Sequence, residues 1–461
     1  MALLGFANTM LLTRLLSQQV YAMYGLMVTF VTAADMFVAL GYDQAYMRFY
    51  YTHDRKPIGF LWECLKVPLV VFTVFAIVLL EPGQHLITYI FEDRLGFAVV
   101  LGVLGQVFFS SIHRFTQLTA RMGECAVNYV LSNIVSKSGF IVILLLLSLV
   151  VQDIAFGWVV TSFVIMSAAS SAINLVVFRK VGKKQNSEGR PITNKEMLQY
   201  GFPYMINNVI VLLIPVLEKV IIRDLAGWEV LSIFTAASVF QTVVGMVTMT
   251  LNNIWNPVVY KNCENEAVFK SILHTFGMVG AMIMSLGTAA CILLRRWLVL
   301  LLDAKYFSVY MIAPVILLAA CFNILCAIYS VGINIRKKTV HFVVAPILQI
   351  IASVALCYLL IPSLGLIGVG IAVLVSIGIS RFYQIIMGLH SYNTGCVEVK
   401  TFLLCGLCVV AAVTSMFFTT LKDDLILSLL LLAASFVIMN RDILVIIRSV
   451  LAVVKTSNKK Q

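Results

Sequence analysis

Charge is what this chain has least of: only 12% of its 461 residues are Asp, Glu, Lys or Arg, against 61% hydrophobic residues. The mean hydropathy is +0.99. A soluble globular domain usually carries about 25% charged residues, so a water-soluble fold is excluded. Organised cysteine chemistry is missing too. The chain has 10 cysteines, but they scatter through apolar runs and read as small apolar residues. Cys405 and Cys408 form a C-x-x-C inside one such run with no His or acidic neighbour, which argues against a redox or metal role. The 6 histidines are dispersed, and no H-E-x-x-H, nucleophile elbow, Walker motif or acidic metal cluster occurs. The sequence points away from an enzyme and calls for no cofactor and no metal. The formal charge of +12 lies in short loops and a tail, not in a basic domain, so nucleic acid is not an expected partner.

What is present is about fourteen apolar runs, each near the roughly 20 residues needed to cross the hydrocarbon core. An all-α polytopic membrane protein follows. The spans are placed at Ala2–Leu16, Leu26–Met47, Phe60–Leu80, Phe97–Leu118, Tyr129–Val151, Ile154–Val177 and Leu198–Ile222. Then come Val230–Trp255, Val268–Leu294, Val309–Asn334, Phe342–Ile361, Leu366–Leu389, Thr401–Thr420 and Leu425–Met439. Most of the 33 Lys and Arg residues fall in the connections after even-numbered spans and in the tail, which puts both termini on the cytoplasmic side. The first span is short, so either the start is truncated or this helix leans on its neighbours to cross. No cleavable signal peptide is read.

Leu16–Tyr51 and Leu225–Tyr260 share a layout of short loop, span and aromatic exit, and Gly157 opening one span corresponds to Gly368 opening another. This predicts two pseudo-symmetric lobes of about six helices each, related by an axis along the membrane normal and enclosing a central cavity. The expected organisation is an N-terminal lobe over 1–180, a basic cytoplasmic linker over 181–197, a second lobe over 198–390, two additional transmembrane helices over 391–440, and a basic amphipathic tail over 441–461.

Polar residues inside the spans supply the candidate site. Asn133 and Lys137 sit beside a stripe of Asn128, Ser132 and Ser136, while Gln241 and Asn252 lie on a polar face with Ser238, Thr242 and Thr248. Thr29, Thr32 and Asp35 stand at the related positions of the first lobe. Packing by small and hydroxyl residues explains many such stripes, but amides and charges favour a wet cavity. An ionisable group at mid-membrane costs at least about 2.5–3.5 kcal/mol, so Lys137, Lys219 and Arg381 need compensation. Lys137 and Arg381 have no acid within a turn and are the candidate anion contacts, whereas Lys66 has Glu63 three residues before it as a neutralising neighbour. Pro203 and Pro215 flank Asn207 and Asn208 in span seven and predict a kinked or broken helix, a candidate gate.

The string Thr13-Arg14-Leu15-Leu16-Ser17 with Tyr24-Gly25, then Gly41-Tyr42-Asp43 leading to Arg48-Phe49-Tyr50, resembles the opening of bacterial polysaccharide flippases of the Wzx type. These belong to the multidrug/oligosaccharidyl-lipid/polysaccharide exporter superfamily. Tyr200-Gly201-Phe202-Pro203, Trp255-Asn256-Pro257 with Tyr260, and Gly365, Gly368 and Gly370 extend the resemblance. Where that family often has Asp-Arg near the end of span seven, this chain has Glu218-Lys219, keeping the charges but losing the guanidinium fork. The resemblance implies transfer of an undecaprenyl-pyrophosphate-linked oligosaccharide from the inner to the outer leaflet of the bacterial cytoplasmic membrane. The products would be O-antigen, capsule or exopolysaccharide, with membrane lipids, a polysaccharide polymerase and assembly proteins as partners. The cavity contacts would then be Lys137, Arg381, Lys219, Arg48, Asn133, Gln241, Asn207, Asn208 and Asn252, with Asp35 and Glu218 as coupling candidates. The rival expectation is a proton- or sodium-coupled multidrug or metabolite exporter of the same superfamily, with Asp35 as its coupling acid.

Overall fold

In hydrocarbon every backbone donor and acceptor needs an internal partner, and a helix supplies those bonds within one segment. The computed structural model describes residues 2–50, 57–80, 84–91, 97–123, 125–151, 153–181, 192–262, 266–300, 302–336, 338, 340–392 and 399–458, and among these no strand occurs. The chain divides into two compact units, Leu3–Arg223 and Asp224–Gln461. Most of the basic linker expected at 181–197 lies outside the described residues.

The first unit comprises α1 (Ala2–Leu15), α2 (Gln18–Ala39), α3 (Tyr42–Phe49), α4 (Pro57–Leu80), α5 (Gln84–Phe91), α6 (Phe97–Met122), α7 (Ala126–Ser148), α8 (Phe156–Val181) and the greater part of α9 (Asn194–Ala237). Its helices pack chiefly as α6 on α8, α7 on α8, and α2 on α6. One core centres on Tyr46, whose ring stacks on Phe60 at 5.2 Å and meets Phe115 edge-on at 6.3 Å. The Tyr46 hydroxyl is satisfied by Thr119 Oγ1 at 2.7 Å.

The second unit continues with α10 (Val239–Asn262), α11 (Glu266–Val299), α12 (Val309–Tyr329), α13 (Val331–Ile335), α14 (His341–Tyr392), α15 (Val399–Ser415) and α16 (Leu421–Asn458). Here α12 is the central element. Its apolar window is 83% buried, whereas the windows of α4 and α7 are 22% buried, so α12 is walled in by other helices while α4 and α7 give most of their surface to lipid.

Among the described residues, eight helices are long and apolar enough to cross a membrane. One of them contains two of the expected spans, because α14 leaves helical dihedrals at Gly365 (φ 53, ψ −126). The other expected spans fall on α1 and α15, which are shorter than 18 residues, and on α9, α10 and α16. The protein is an all-α polytopic membrane protein.

Span two differs from its expected limits. The helix starts at Gln18, where the Ser17 side chain accepts a hydrogen bond from the Val20 N–H at 3.3 Å, and it stops at Ala39. Leu40 (φ 46) and Gly41 (φ 74) then take left-handed conformations, so Tyr42–Phe49 becomes a separate helix. An apolar window cannot see this stop, because the signal is one glycine after the last turn. Span seven is not broken at its prolines. The backbone of α9 stays helical through Pro203 and Pro215 and departs only at Gly227 (φ 82, ψ 176). Proline's own φ suits a helix, and losing one amide donor need not move the dihedrals out of the helical well. The backbone of α16 continues as helix to Asn458, through most of the stretch expected as a basic amphipathic tail.

Candidate functional site

A buried ionic group sits in the first unit, where α2, α3 and α6 meet. Asp35 on α2 is 5% exposed. Its Oδ1 accepts a hydrogen bond from Ser111 Oγ at 2.7 Å, and its Oδ2 accepts from Arg114 Nε at 2.8 Å and Nη2 at 2.5 Å. The turn at Leu40–Gly41 brings Asp43 into the first turn of α3, and Arg114 Nη1 lies 3.6 Å from its Oδ2. A carboxylate there also meets the positive end of the α3 dipole. Two acids on one guanidinium leave the group formally one charge negative.

The α6 face that carries Arg114 is polar over much of its length. Gln106 donates to Ser167 on α8 at 2.8 Å, Ser170 bonds the His113 Nδ1 at 3.2 Å, and Asn174 donates to Thr116 at 3.5 Å. These bonds satisfy groups that lipid would not, and they fix the α6 face that presents Arg114.

Arg114 was not among the residues singled out from sequence, although a signal existed. Gln106, Ser110 and Ser111 precede it at helical spacing inside an apolar run. Arg223 was missed as well. It is 2% exposed, its Nη1 donates to the Tyr89 carbonyl at 2.6 Å and to that of Ile90, and its guanidinium lies 5.2 Å from the Tyr89 ring centre. It thereby neutralises the carbonyl end of α5.

The residues named from sequence separate into distinct settings. Lys219 is buried, and its Nζ donates to the Gly25 carbonyl at 2.7 Å and to Thr29 Oγ1 at 2.6 Å, joining α9 to α2 within the first unit. Glu218 beside it is also buried. On α7, Asn133 is half-buried and bonds back to the Tyr129 carbonyl at 2.8 Å, while the Lys137 side chain is exposed and its carbonyl accepts from Asn8 on α1 at 2.6 Å. Arg48 on α3 is exposed, and Asn208 and Pro215 on α9 are half-buried. The side chains of Asn207 and Pro203 lie outside the described residues.

In the second unit, Gln241 and Asn252 are half-buried on α10. Arg381 on α14 donates from Nη1 to Gln384 Oε1 at 3.1 Å, and Cys326 on α12 donates to the same oxygen at 2.9 Å. The Arg381 Nε is enclosed without a partner among the described residues. A second ionic cluster was not anticipated. Arg295 and Asp424 are both fully buried and paired, and Arg296 Nε joins Asp424 Oδ2 at 2.7 Å. Arg295 also donates to the carbonyls of Tyr310, Ser415 and Phe418 at 3.3, 2.6 and 3.1 Å. Arg295 thereby joins α11 to α12, to the end of α15 and to the first turn of α16.

The fold is thus an all-α membrane bundle with ion groups buried between its helices. The chain is similar to the lipid II flippase MurJ in an inward closed conformation, with a TM-score of 0.70 and 15% identity over 96% of this chain and 97% of that one. It is also similar to a multidrug resistance MATE family transporter of the MOP superfamily in its inward-facing conformation, with a TM-score of 0.69 and 13% identity over 85% and 94% of the two chains. The outward-facing conformation of such a transporter matches less well, at a TM-score of 0.53 with 15% identity over 85% and 91%. No curated protein sequence matches the chain. The family model described as polysaccharide biosynthesis protein matches residues 1–263, more than half the length, and the chain belongs to that family.

Proposed function

We infer that this protein is a flippase that moves an undecaprenyl-pyrophosphate-linked oligosaccharide from the inner to the outer leaflet of the bacterial cytoplasmic membrane, with both termini in the cytoplasm. Its product feeds O-antigen, capsule or exopolysaccharide assembly, with a polymerase and assembly proteins downstream. Membership of a polysaccharide biosynthesis family and a fold like that of a lipid II flippase support this reading.

The observation that carries it is the division of charge in the first unit. A cation exporter needs an accessible acid, but Asp35 is buried and engaged by Arg114 and Ser111. Lys137 and Arg48 are exposed, and among the described residues their side chains make no ion pair. Free cations and paired acids suit a pyrophosphate, whose charge cannot enter hydrocarbon unassisted. Asn133, Gln241 and Asn252 offer amides to the sugars, and alternating access carries the headgroup across. With a negative interior, an anion moving outward gains about 2.3 kcal/mol per charge per 100 mV, or about 4.6 kcal/mol for two charges.

The test is transfer of a lipid-linked oligosaccharide between the leaflets of proteoliposomes, with and without an imposed potential. Protein-dependent transfer that quickens with interior-negative potential is expected. Absence of transfer combined with ion-coupled efflux of small cations would instead make the protein a multidrug or metabolite exporter.

A further inference from the structure

The membrane-facing side of α4 carries a cation that the helices around it leave alone. Lys66 is exposed, and among the described residues it makes no hydrogen bond or ion pair. The pairing with Glu63 expected from sequence is therefore not formed. Lys66 lies nine residues after Pro57, about 14 Å along the helix axis, and a charge on an apolar helix face needs either water or a counter-charge.

Beside it runs an apolar groove of about 340 Å³ walled by Leu61, Leu65 and Leu69 of α4, Phe108 and Ile112 of α6, and Leu175 of α8. Trp62 also lines it and is 56% exposed. Lys66 follows Trp62 by four residues and precedes Leu69 by three, which puts all three on one face of α4. A long aliphatic stem with a charged head, next to an indole at the edge of an apolar trough, has the amphipathic form of an interfacial lipid anchor.

The groove belongs to one leaflet. It is formed by the first half of α4 and by the second halves of α6 and α8. In sequence, Arg121 lies in the last turn of α6, Arg179 and Lys180 lie in the last turn of α8, and Arg55 and Lys56 immediately precede α4. That is the basic face of the membrane protein, where anionic lipid is attracted.

We propose that the α4–α6–α8 groove with Lys66 is a binding site for an anionic phospholipid of that leaflet, the phosphate meeting Lys66 and one acyl chain filling the trough. The charge of Lys66 favours this occupant, since a neighbouring apolar helix would leave the ammonium unpaired and a zwitterionic lipid brings its own cation beside the phosphate. The site is separate from the Asp35–Arg114 group and does not depend on the transported substrate.

The experiment is native mass spectrometry of the full-length protein released from nanodiscs of equal phosphatidylglycerol and phosphatidylcholine. The wild type is expected to retain phosphatidylglycerol preferentially, and Lys66→Gln to lower that retention at least fivefold without changing retention of phosphatidylcholine. Ile112→Trp, which fills the trough and leaves the charge, is expected to lower it as well. Unchanged phosphatidylglycerol retention in Lys66→Gln would overturn the proposal. So would full displacement of phosphatidylglycerol by equimolar undecaprenyl phosphate, which would make the groove a substrate site. A shift of Lys66→Gln from dimer to monomer with no lipid difference would show the trough to be a contact between copies and would equally overturn it.

Discussion

The backbones of Gly41 and Gly201 lie against each other. A Cβ on Gly41 would overlap the carbonyl of Gly201, and a Cβ on Gly201 would overlap the carbonyl of Gly41. Gly41 opens α3 with φ 74, and Gly201 lies in the first part of α9, so two short strings far apart in sequence close on one contact inside the first unit. Alanine at either position is expected to cost more than about 3 kcal/mol, since neither backbone can withdraw as a side chain would. The measurement is the yield and thermal midpoint of the detergent-solubilised protein. Gly245→Ala is the control, because nothing lies within 4 Å of its Cβ position and alanine favours a helix by about 1 kcal/mol. Equal behaviour of Gly201→Ala and Gly245→Ala would show that α9 can move away from α3.

The Asp35–Arg114 pair invites a double-mutant cycle. Removing one member of an enclosed pair leaves its partner uncompensated, so Asp35→Asn and Arg114→Gln should each destabilise by about 3 kcal/mol. The double variant should cost clearly less than the sum, because neither charge is then stranded. Additive losses in thermal unfolding would mean that the two side chains act independently.

Much of the fold was legible in the sequence because lipid imposes a length and an apolarity on each span. Helix existence followed from that rule, but helix ends did not: Gly41, Gly227 and Gly365 set breaks through a positive φ, which hydropathy does not record. The glycines of the Gly41-Tyr42-Asp43 and Tyr200-Gly201-Phe202-Pro203 strings carried a family resemblance, yet their reason is a contact across the unit that no local pattern contains. The candidate site was readable only in part. Asp35 stood out as an acid in a span, but its partner Arg114 comes from another helix, and the partner of Lys219 is a backbone carbonyl. Ion pairing between helices depends on which faces meet, and a single sequence gives only the faces.

The Arg295–Asp424 junction should hold the end of the chain in place. Both side chains are fully buried, and Arg295 reaches the carbonyls at the end of α15 as well as the first turn of α16. Asp424→Ala is expected to cost about 3–5 kcal/mol. Protease digestion in detergent should then cut first between Ser415 and Leu421. Wild-type resistance of that connection in Asp424→Ala would show that apolar packing of α11 on α16 suffices without the ion pair.

Pro203 and Pro215 bear on motion more than on form, since α9 keeps helical dihedrals through both. Restoring the missing amide donors with the double change to alanine should stiffen the helix by closing two open backbone bonds. The expected outcome is normal membrane insertion with slower turnover in the proteoliposome transfer assay. Unchanged turnover would make the prolines static features of α9.

Three lysines in the spans of the first unit should behave in three ways, because their surroundings differ while their chemistry does not. Lys219 is tied to Gly25 and Thr29, so Lys219→Gln shortens a buried donor and should destabilise by about 1–3 kcal/mol, lowering transport through loss of folded protein. Lys137 is exposed and makes no side-chain ion pair among the described residues, so Lys137→Gln should leave the thermal midpoint unchanged and still cut transfer of the lipid-linked oligosaccharide about tenfold, the loss of one charge-assisted contact to phosphate. Lys66 belongs to the proposed lipid groove, so Lys66→Gln should leave both the midpoint in detergent and the transfer rate near wild type. Measured together in one preparation, the thermal midpoint separates Lys219 from the other two, and the transfer rate separates Lys137 from Lys66. If Lys66→Gln impaired transfer more than Lys137→Gln, the anion contact would have to move from α7 to α4, and the lipid groove and the transport path would become one site.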